Sequence, residues 1–503
     1  MRITFPYASW TGAQFKLWGY FARSNSSWNP MAQALLAAVC EKAGHEVTLI
    51  DGEVLKLSKR DLARRVVESK PDIVGLTCYS PFFHLSQEVA EEIKKLNPKI
   101  PILAGGPHIT IAKQEALLPC FDYLFKGEAE RSLPQFLEHL EAGEDLPKVG
   151  GLIYRRDGDV VETGDASWIT DISTSGKNLG QHYPLDALPR MARHLLPMNR
   201  YFLGTKDGRQ HFTSVQSARG CPWRCVFCCS DALKTTRYIM RSPDSIVDEM
   251  EQVVTDYPFI RHFFFADDVL TLYAEKHVLR ICDGINKSKR LRGRITFEGS
   301  TRANLIDDPM MKQLAESGLV RISFGLESVD PEVRMVMNKR VHLDSYWQSN
   351  EICNKYGVEA LNSMMIGLPG DTKEKVKFTI RTIAAQRHVM QANLAIAIPY
   401  PGTEFSDMAA AGEHGLELVS SKLENYRRYG SAVTNVNDLS ADDLIKMQNW
   451  GFLMIYSKPW RWLPVIHKHG LLGFMLQFVR LFRLMKDIFL ERCKPFAYPG
   501  RPA

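Results

Sequence analysis

The sequence predicts an α/β protein built as a doubly wound, Rossmann-like parallel sheet over residues 1–145, a hairpin and linker over 146–210, a partial (β/α)6 barrel over 211–420 and a helical region over 421–503. Three observations support this. At 503 residues the chain is longer than one ordinary core can serve. In the first third, five short apolar runs alternate with helical periodicity, as in a parallel sheet covered on both faces. A further six such runs follow Phe212, too few to close an eight-stranded barrel and consistent with an open one.

In the first part the expected strands are Ile3 to Phe5, Glu46 to Ile50, Ile73 to Thr77, Ile102 to Ala104 and Tyr123 to Phe125. Leu35, Leu36 and Val39 share one helical face, as do Leu85, Val89, Ile93 and Leu96. Ligands of such sheets sit beyond the carboxyl ends of the strands. The candidate residues there are Thr77, Tyr79 and Ser80, then Gly105, Gly106, Pro107 and His108, then Gly127 and Glu128 within Gly127-Glu128-Ala129-Glu130. Adjacent glycines let a large flat ligand approach the backbone. No Gly-x-Gly-x-x-Gly follows the first strand, which argues against a plain dinucleotide site. Asp51 is expected to cap a helix or loop, and His84 and His108 to be satisfied locally.

The connection from Pro6 to Pro30 carries Trp10, Phe15, Trp18, Tyr20, Phe21 and Trp28. It is too long for a simple connection and too aromatic for disorder, so it is expected to cover a large cofactor or line a substrate pocket. Residues 149–161 predict a hairpin turning at Asp157-Gly158. The aperiodic stretch from Asp165 to Pro197 marks the domain boundary.

The chain is organised around Cys221-Pro222-Trp223-Arg224-Cys225-Val226-Phe227-Cys228. Three thiols at this spacing can reach three irons of one cubane, and Gly220 and Pro222 favour the tight turn required. One iron then stays open to a small chelating molecule. A zinc site would ordinarily show two separated ligand pairs, and no second pair follows. Cys229 reads as a small buried residue.

This spacing resembles the signature of the radical S-adenosylmethionine (SAM) superfamily, and later segments strengthen the resemblance. Expected barrel strands are Thr213 to Gln216, His262 to Phe265, Ile295 to Glu298, Arg321 to Phe324, Ala360 to Ile366 and Leu394 to Ile398. Their ends carry Asp267-Asp268, Ser300-Thr301-Arg302, Gly325-Leu326-Glu327-Ser328, Gly367-Leu368-Pro369-Gly370-Asp371-Thr372 and Pro399-Tyr400-Pro401-Gly402, in the order the superfamily shows. The resemblance implies a 4Fe-4S cluster on Cys221, Cys225 and Cys228, with SAM approached by Phe227, Asp267, Arg302, Glu327 and Gly367. Lys339 and Arg340 would support Glu327 or end a helix. Asp267 and Asp268 can equally cap a helix or bind a cation.

The strand-Gly-Gly-x-His and Gly-Glu-x-Glu segments of the first part resemble the cobalamin-binding domain that precedes the barrel in one large subfamily. No Asp-x-His-x-x-Gly follows the first strand, so no histidine of that motif is expected on cobalt. The resemblance implies methyl transfer to an unactivated carbon or phosphorus centre, using one SAM as methyl source and a second as radical source. An oxidative cyclase or rearrangement enzyme is the alternative within the class, and a non-catalytic cobalamin or iron-sulfur sensor the alternative outside it. A methylthiotransferase fits poorly, because the first part has only the scattered Cys40, Cys78 and Cys120. A flavodoxin- or ferredoxin-type electron donor is implied as partner.

Hydrophobic content of 45% and charged content of 24% suit a globular protein. A net charge of +6 without a basic, aromatic-interleaved block argues against a nucleic-acid partner. Ten cysteines and an N-terminus without a secretory segment point to a reducing, cytoplasmic setting. The basic, aromatic tail from Trp460 to Phe489 carries too many charges to span a bilayer. It is expected to pack on the barrel, with contact at a membrane surface as the alternative. A small-molecule substrate, bulky or apolar, follows from these aromatic segments.

Overall fold

In the computed structural model the residues described are 1–9, 27–166, 183–205, 208–233 and 237–461. Most of the aromatic N-terminal loop, the middle of the linker and the tail after Arg461 therefore lie outside the described residues.

The first sheet has the order β2-β1-β3-β4-β5-β6-β7. Its parallel strands are β1 (Arg2–Tyr7), β2 (Glu46–Asp51), β3 (Ile73–Thr77), β4 (Ile102–Gly105) and β5 (Tyr123–Phe125). Helices α1 (Met31–Lys42), α2 (Lys59–Glu68), α3 (Phe83–Leu96), α4 (Pro107–Ala112) and α5 (Ser132–Ala142) alternate with them. All five expected strands form. The predicted hairpin, β6 (Leu152–Arg156) and β7 (Asp159–Glu162), forms around Asp157 and Gly158, both at positive φ. It extends the first sheet antiparallel to β5 rather than standing in the linker, because Leu152 and Ile153 are fully buried against that edge.

The second sheet runs β16-β15-β14-β13-β12-β9-β8. The hairpin β8 (Phe202–Thr205) and β9 (Gly208–Val215) leads into it, and β10 (Ala218–Arg219) clips to β11 (Ile239–Met240) beside it. Parallel strands β12 (His262–Phe265), β13 (Thr296–Thr301), β14 (Leu319–Glu327), β15 (Glu359–Ile366) and β16 (Gln391–Ile396) follow β9. They alternate with α6 (Pro243–Asp256), α7 (Val278–Lys287), α8 (Asp308–Glu316), α9 (Pro331–Val336), α10 (Leu343–Lys355) and α11 (Lys373–Ala385). Six parallel strands that do not close match the expected open barrel.

Side-chain alternation gives this barrel an inside. On β15, Ala360, Asn362, Met364 and Ile366 are buried under the helices, and Asn362 exchanges hydrogen bonds with Asn350 of α10. Leu361, Ser363 and Met365 point the other way and stay half-buried. The floor is closed by charge. Arg321 reaches Glu298 at 3.1 Å, Glu359 at 2.9 Å and the Gly204 carbonyl at 3.3 Å. The open end is therefore the carboxyl end of the strands.

After β16 come α12 (Glu404–Ala411), β17 (Leu416–Leu418), β18 (Thr434–Val436) and α13 (Ala441–Tyr456). Helix α13 has a Ser440–Asp443 capping box and packs on β16, where Tyr456 Oη donates to the Ala392 carbonyl at 2.7 Å. One apolar core runs through both sheets. Trp28 wedges edge-on against Phe212 and Phe264, and Tyr201 donates to Asp51 at 2.7 Å, tying linker to first sheet. Asp51 also accepts from the Glu53 and Val54 amides, the loop role expected of it. Among the described residues no helix is long and apolar enough to cross a membrane.

Candidate active site

The cysteine loop leaves β9 at the open end of the barrel. Gly220 sits at φ +93°, and the Cys228 amide donates to the Cys225 carbonyl at 2.9 Å, closing a tight turn. Three tethers hold that turn: Val226 N–H to Met337 O, Phe405 N–H to Val226 O, and Asn338 Nδ2 to Arg224 O. Burial raises the pKa of Cys221 and of Cys225, and the nearby Cys228 sulfur adds to both. Lys339 and Arg302 pull Cys225 back down. Among the described residues no three His, Cys, Asp or Glu side chains converge on a single ion.

Asp267 ends β12 with both carboxylate oxygens engaged. One accepts from the Ser217 and Ala218 amides at 2.8 and 3.0 Å, the other from the Ser217 hydroxyl. Burial pushes its pKa up to about 6. Its place is under the cysteine loop, which it positions. Asp268 accepts from the Gly220 amide and remains exposed toward the mouth.

Of the remaining SAM candidates, Arg302 and Glu327 stand beside the loop. Arg302 lies 4.1 Å from the Trp223 ring centroid, and its buried Nε has no hydrogen-bond partner among the described residues. Glu327, at φ +68°, pairs with Lys339 at 3.3 Å, and that ammonium lies 5.8 Å from the Phe227 ring. Burial works most strongly against the Lys339 charge, but Glu327, Tyr346 and Cys225 together outweigh it and raise the pKa. Gly325 leaves room for this pair, since a Cβ there would crowd Glu327 Oε1 and come within 2.9 Å of Lys339 Nζ, displacing both side chains. Gly367 takes φ +80° against Leu444, and Asp371 accepts from the Gly367 and Leu368 amides at 3.0 Å each.

At the strand ends of the first sheet is a cavity of about 330 Å³ with mostly apolar walls. Thr77, Tyr79, Gly105, Gly106, Pro107, Gly127 and Glu128 line it. Gly106 has φ +101°, and a Cβ there would meet the Cys78 carbonyl at 3.0 Å, so the chain is cut back at this point. Ser80 and His108 do not line it; they stand behind the wall, where His108 is satisfied locally. Ser80 Oγ meets His108 Nδ1 at 3.0 Å, and the imidazole stacks 4.3 Å from Phe83. Burial lowers the His108 pKa to about 4, leaving a neutral ring that props the loop.

The opposite wall comes from the barrel: Gln216, Arg219, Arg241 and Glu249. Arg219 directly precedes Gly220-Cys221 and reaches across to Glu128 at 3.0 Å and Glu130 at 2.6 Å. Glu249 lies between Arg193 at 2.7 Å and Arg241 at 2.5 Å; burial opposes its charge, and the two guanidiniums outweigh it. Sequence reasoning missed these four charged residues. Only Arg219, two residues before Cys221, had any signal to find it by.

The model of the radical SAM superfamily matches residues 215–383, and that of the B12 binding domain matches residues 17–137. The chain belongs to the radical SAM superfamily and carries a B12-binding domain. This radical SAM protein is 27% identical over 455 residues to an uncharacterized methyltransferase of Pyrococcus horikoshii, covering 89% of its own length and 92% of the relative's. It is 25% identical to the anaerobic magnesium-protoporphyrin IX monomethyl ester cyclase of Rubrivivax gelatinosus, with 81% and 69% covered. Among solved structures, the radical SAM methyltransferase TsrM of Kitasatospora setae, with cobalamin and a 4Fe-4S cluster bound, superposes with a TM-score of 0.68 at 18% identity, covering 91% and 89% of the two chains. The two-part fold is thus that of a known B12 radical SAM architecture.

Proposed function

We propose that this radical SAM protein transfers a methyl group to an unactivated carbon or phosphorus centre of a small molecule. The observation that carries this is adjacency: Arg219 lines the first-sheet cavity, pairs with its Glu128 and Glu130, and is followed at once by the cysteine loop. The two sites therefore border on one another, within reach of a single substrate.

The residues fit the groups implied. Three neighbouring thiols on a tethered turn suit the cluster, a buried guanidinium with an open Nε and the Glu327–Lys339 pair suit the polar ends of SAM, and the cut-back wall at Gly106 suits a corrin. When bound, the cluster with SAM supplies a 5′-deoxyadenosyl radical and cobalamin carries the methyl group. The chain's own contribution is placement and exclusion of water. Cys221, Cys225 and Cys228 hold the cluster, Asp267 fixes their loop, and the Arg321 floor keeps solvent from entering behind the reactants. A flavodoxin- or ferredoxin-type donor supplies the electron.

The test is anaerobic reconstitution with iron, sulfide and cobalamin, then reduction with SAM and mass spectrometry. S-adenosylhomocysteine and 5′-deoxyadenosine together, both lost in Cys225→Ala, support methyl transfer. Deoxyadenosine alone favours the cyclase alternative, to which the Rubrivivax relative lends weight. A protein that retains no cluster overturns both.

A further inference from the structure

The segment between β17 and β18 crosses the barrel mouth, and one residue on it has no role in the account so far. Arg428 is held there by its main chain: its carbonyl accepts from the Ile396 amide at the end of β16 at 2.8 Å and from Gln448 Nε2 of α13 at 2.9 Å. The side chain is exposed, yet enough protein surrounds it that desolvation is the largest influence on its pKa; Tyr400, which it hydrogen-bonds, together with Tyr429 and Glu327 outweighs that and keeps the guanidinium charged. Such a group projects into a concavity rather than into bulk water. Its guanidinium stands 5.9 Å from the Tyr400 ring, with Tyr429 beside both. Tyr429 Oη is already committed to Asn393 at 2.7 Å. Among the described residues no carboxylate lies within ion-pair distance of Arg428, and Glu327, the acid it senses, is taken by Lys339. Arg428 also bears on Cys229, so the concavity opens beside the cysteine loop. Apolar surface adjoins it at the half-buried Tyr400 and Leu423, which pack on the buried Ile398, Tyr426 and Val433.

A fixed, partly desolvated cation without an acidic partner is a site for an anion, since guanidinium matches carboxylate and phosphate geometry. The apolar neighbours select what carries that anion. We infer that the substrate is an apolar molecule bearing one carboxylate or phosphate, which Arg428 grips at the barrel mouth. This rests on the methyl-transfer reading for the identity of the site, but its test involves no turnover. SAM also carries a carboxylate, and the test separates the two sources.

The experiment is equilibrium binding of 1-naphthoate and 1-naphthamide to the full chain, reconstituted with cluster and cobalamin and saturated with SAM. Naphthoate is expected to bind at least roughly tenfold tighter than the isosteric amide, with the difference erased in Arg428→Met and largely kept in Arg428→Lys. SAM affinity, measured separately, is expected to change less than about twofold in Arg428→Met. Equal binding of acid and amide, no saturable naphthoate binding, or a preference that survives Arg428→Met overturns the inference. A roughly tenfold loss of SAM affinity in Arg428→Met overturns it too, by assigning the residue to SAM. Because the main chain of Arg428 makes the structural hydrogen bonds, the variants are expected to fold; retained cluster absorbance checks this. If the methyl-transfer reading fails instead, S-adenosylhomocysteine is absent while naphthoate discrimination persists.

Discussion

Replacing Arg219 by Met isolates the bridge between the two cofactor sites. The side chains of Arg219, Glu128 and Glu130 are only 13%, 11% and 9% exposed, and the contacts are 3.0 and 2.6 Å. At an effective dielectric of 20 each pair attracts by about 5–6 kcal/mol, which the cost of desolvating the ions largely cancels. The net worth of the bridge is therefore small. Removing the cation alone is different, because two neighbouring carboxylates stay buried with nothing to neutralise them. Breaking a buried pair in this way costs about 3–5 kcal/mol, and the lower end applies here since the adjoining cavity admits water. Urea titration should show Arg219→Met destabilised by about 3 kcal/mol, and spectrophotometric titration should show cobalamin affinity reduced roughly tenfold or more. The triple variant with Glu128→Gln and Glu130→Gln should recover most of the stability. A single variant within about 0.5 kcal/mol of the parent, with unchanged cobalamin affinity, would refute the reasoning.

Asp371, whose pKa burial raises to about 7, keeps in the folded state a proton that the unfolded chain releases near its ordinary value of 3.8, so its contribution to stability falls as pH rises between those values. Asp371→Asn should gain on the parent by about 2–3 kcal/mol between roughly pH 5 and pH 7 in urea titrations; parallel pH profiles would count against it. Gly106→Ala places a Cβ against the Cys78 carbonyl at φ +101° and should cost about 1–3 kcal/mol, with cobalamin retention falling alongside. Arg461, 5% exposed, donates to the carbonyls of Ile383, Ala384, Gln386, Val389 and Ile455, closing the end of α11. Arg461→Met should cost about 3–5 kcal/mol in thermal or urea unfolding while leaving iron content unchanged.

Local chemistry was the legible part. Strand periodicity located all eleven expected parallel strands, and the Cys221–Cys228 spacing, Gly325-x-Glu327 and Gly367-Leu368-Pro369-Gly370 each reflect a backbone shape that few residues tolerate. Asp157-Gly158 announced its turn for the same reason, but not that its hairpin would join the first sheet, because edge pairing depends on which face β5 leaves open. Pairings between distant residues left no mark. Arg219 meets Glu128 across 91 positions, and Arg193 meets Glu249 across two elements, with no periodicity to betray either. That His108 and Ser80 bond to one another behind the cavity wall, with His108 packed on Phe83 at the start of α3, could not be read from their places in the chain. Arg428 lies in an aperiodic crossing whose course follows only from the packing of α13 and β16.

The salt-bridged floor at Arg321 also governs the order of events. Among the described residues the base is shut by these pairs, so a reactant reaching the cysteine loop arrives from the side of the strand ends and not from beneath. Arrivals and departures then form a queue: the reactant seated deepest enters first and leaves last, while the final entrant doubles as the stopper that keeps water from the chemistry beneath it.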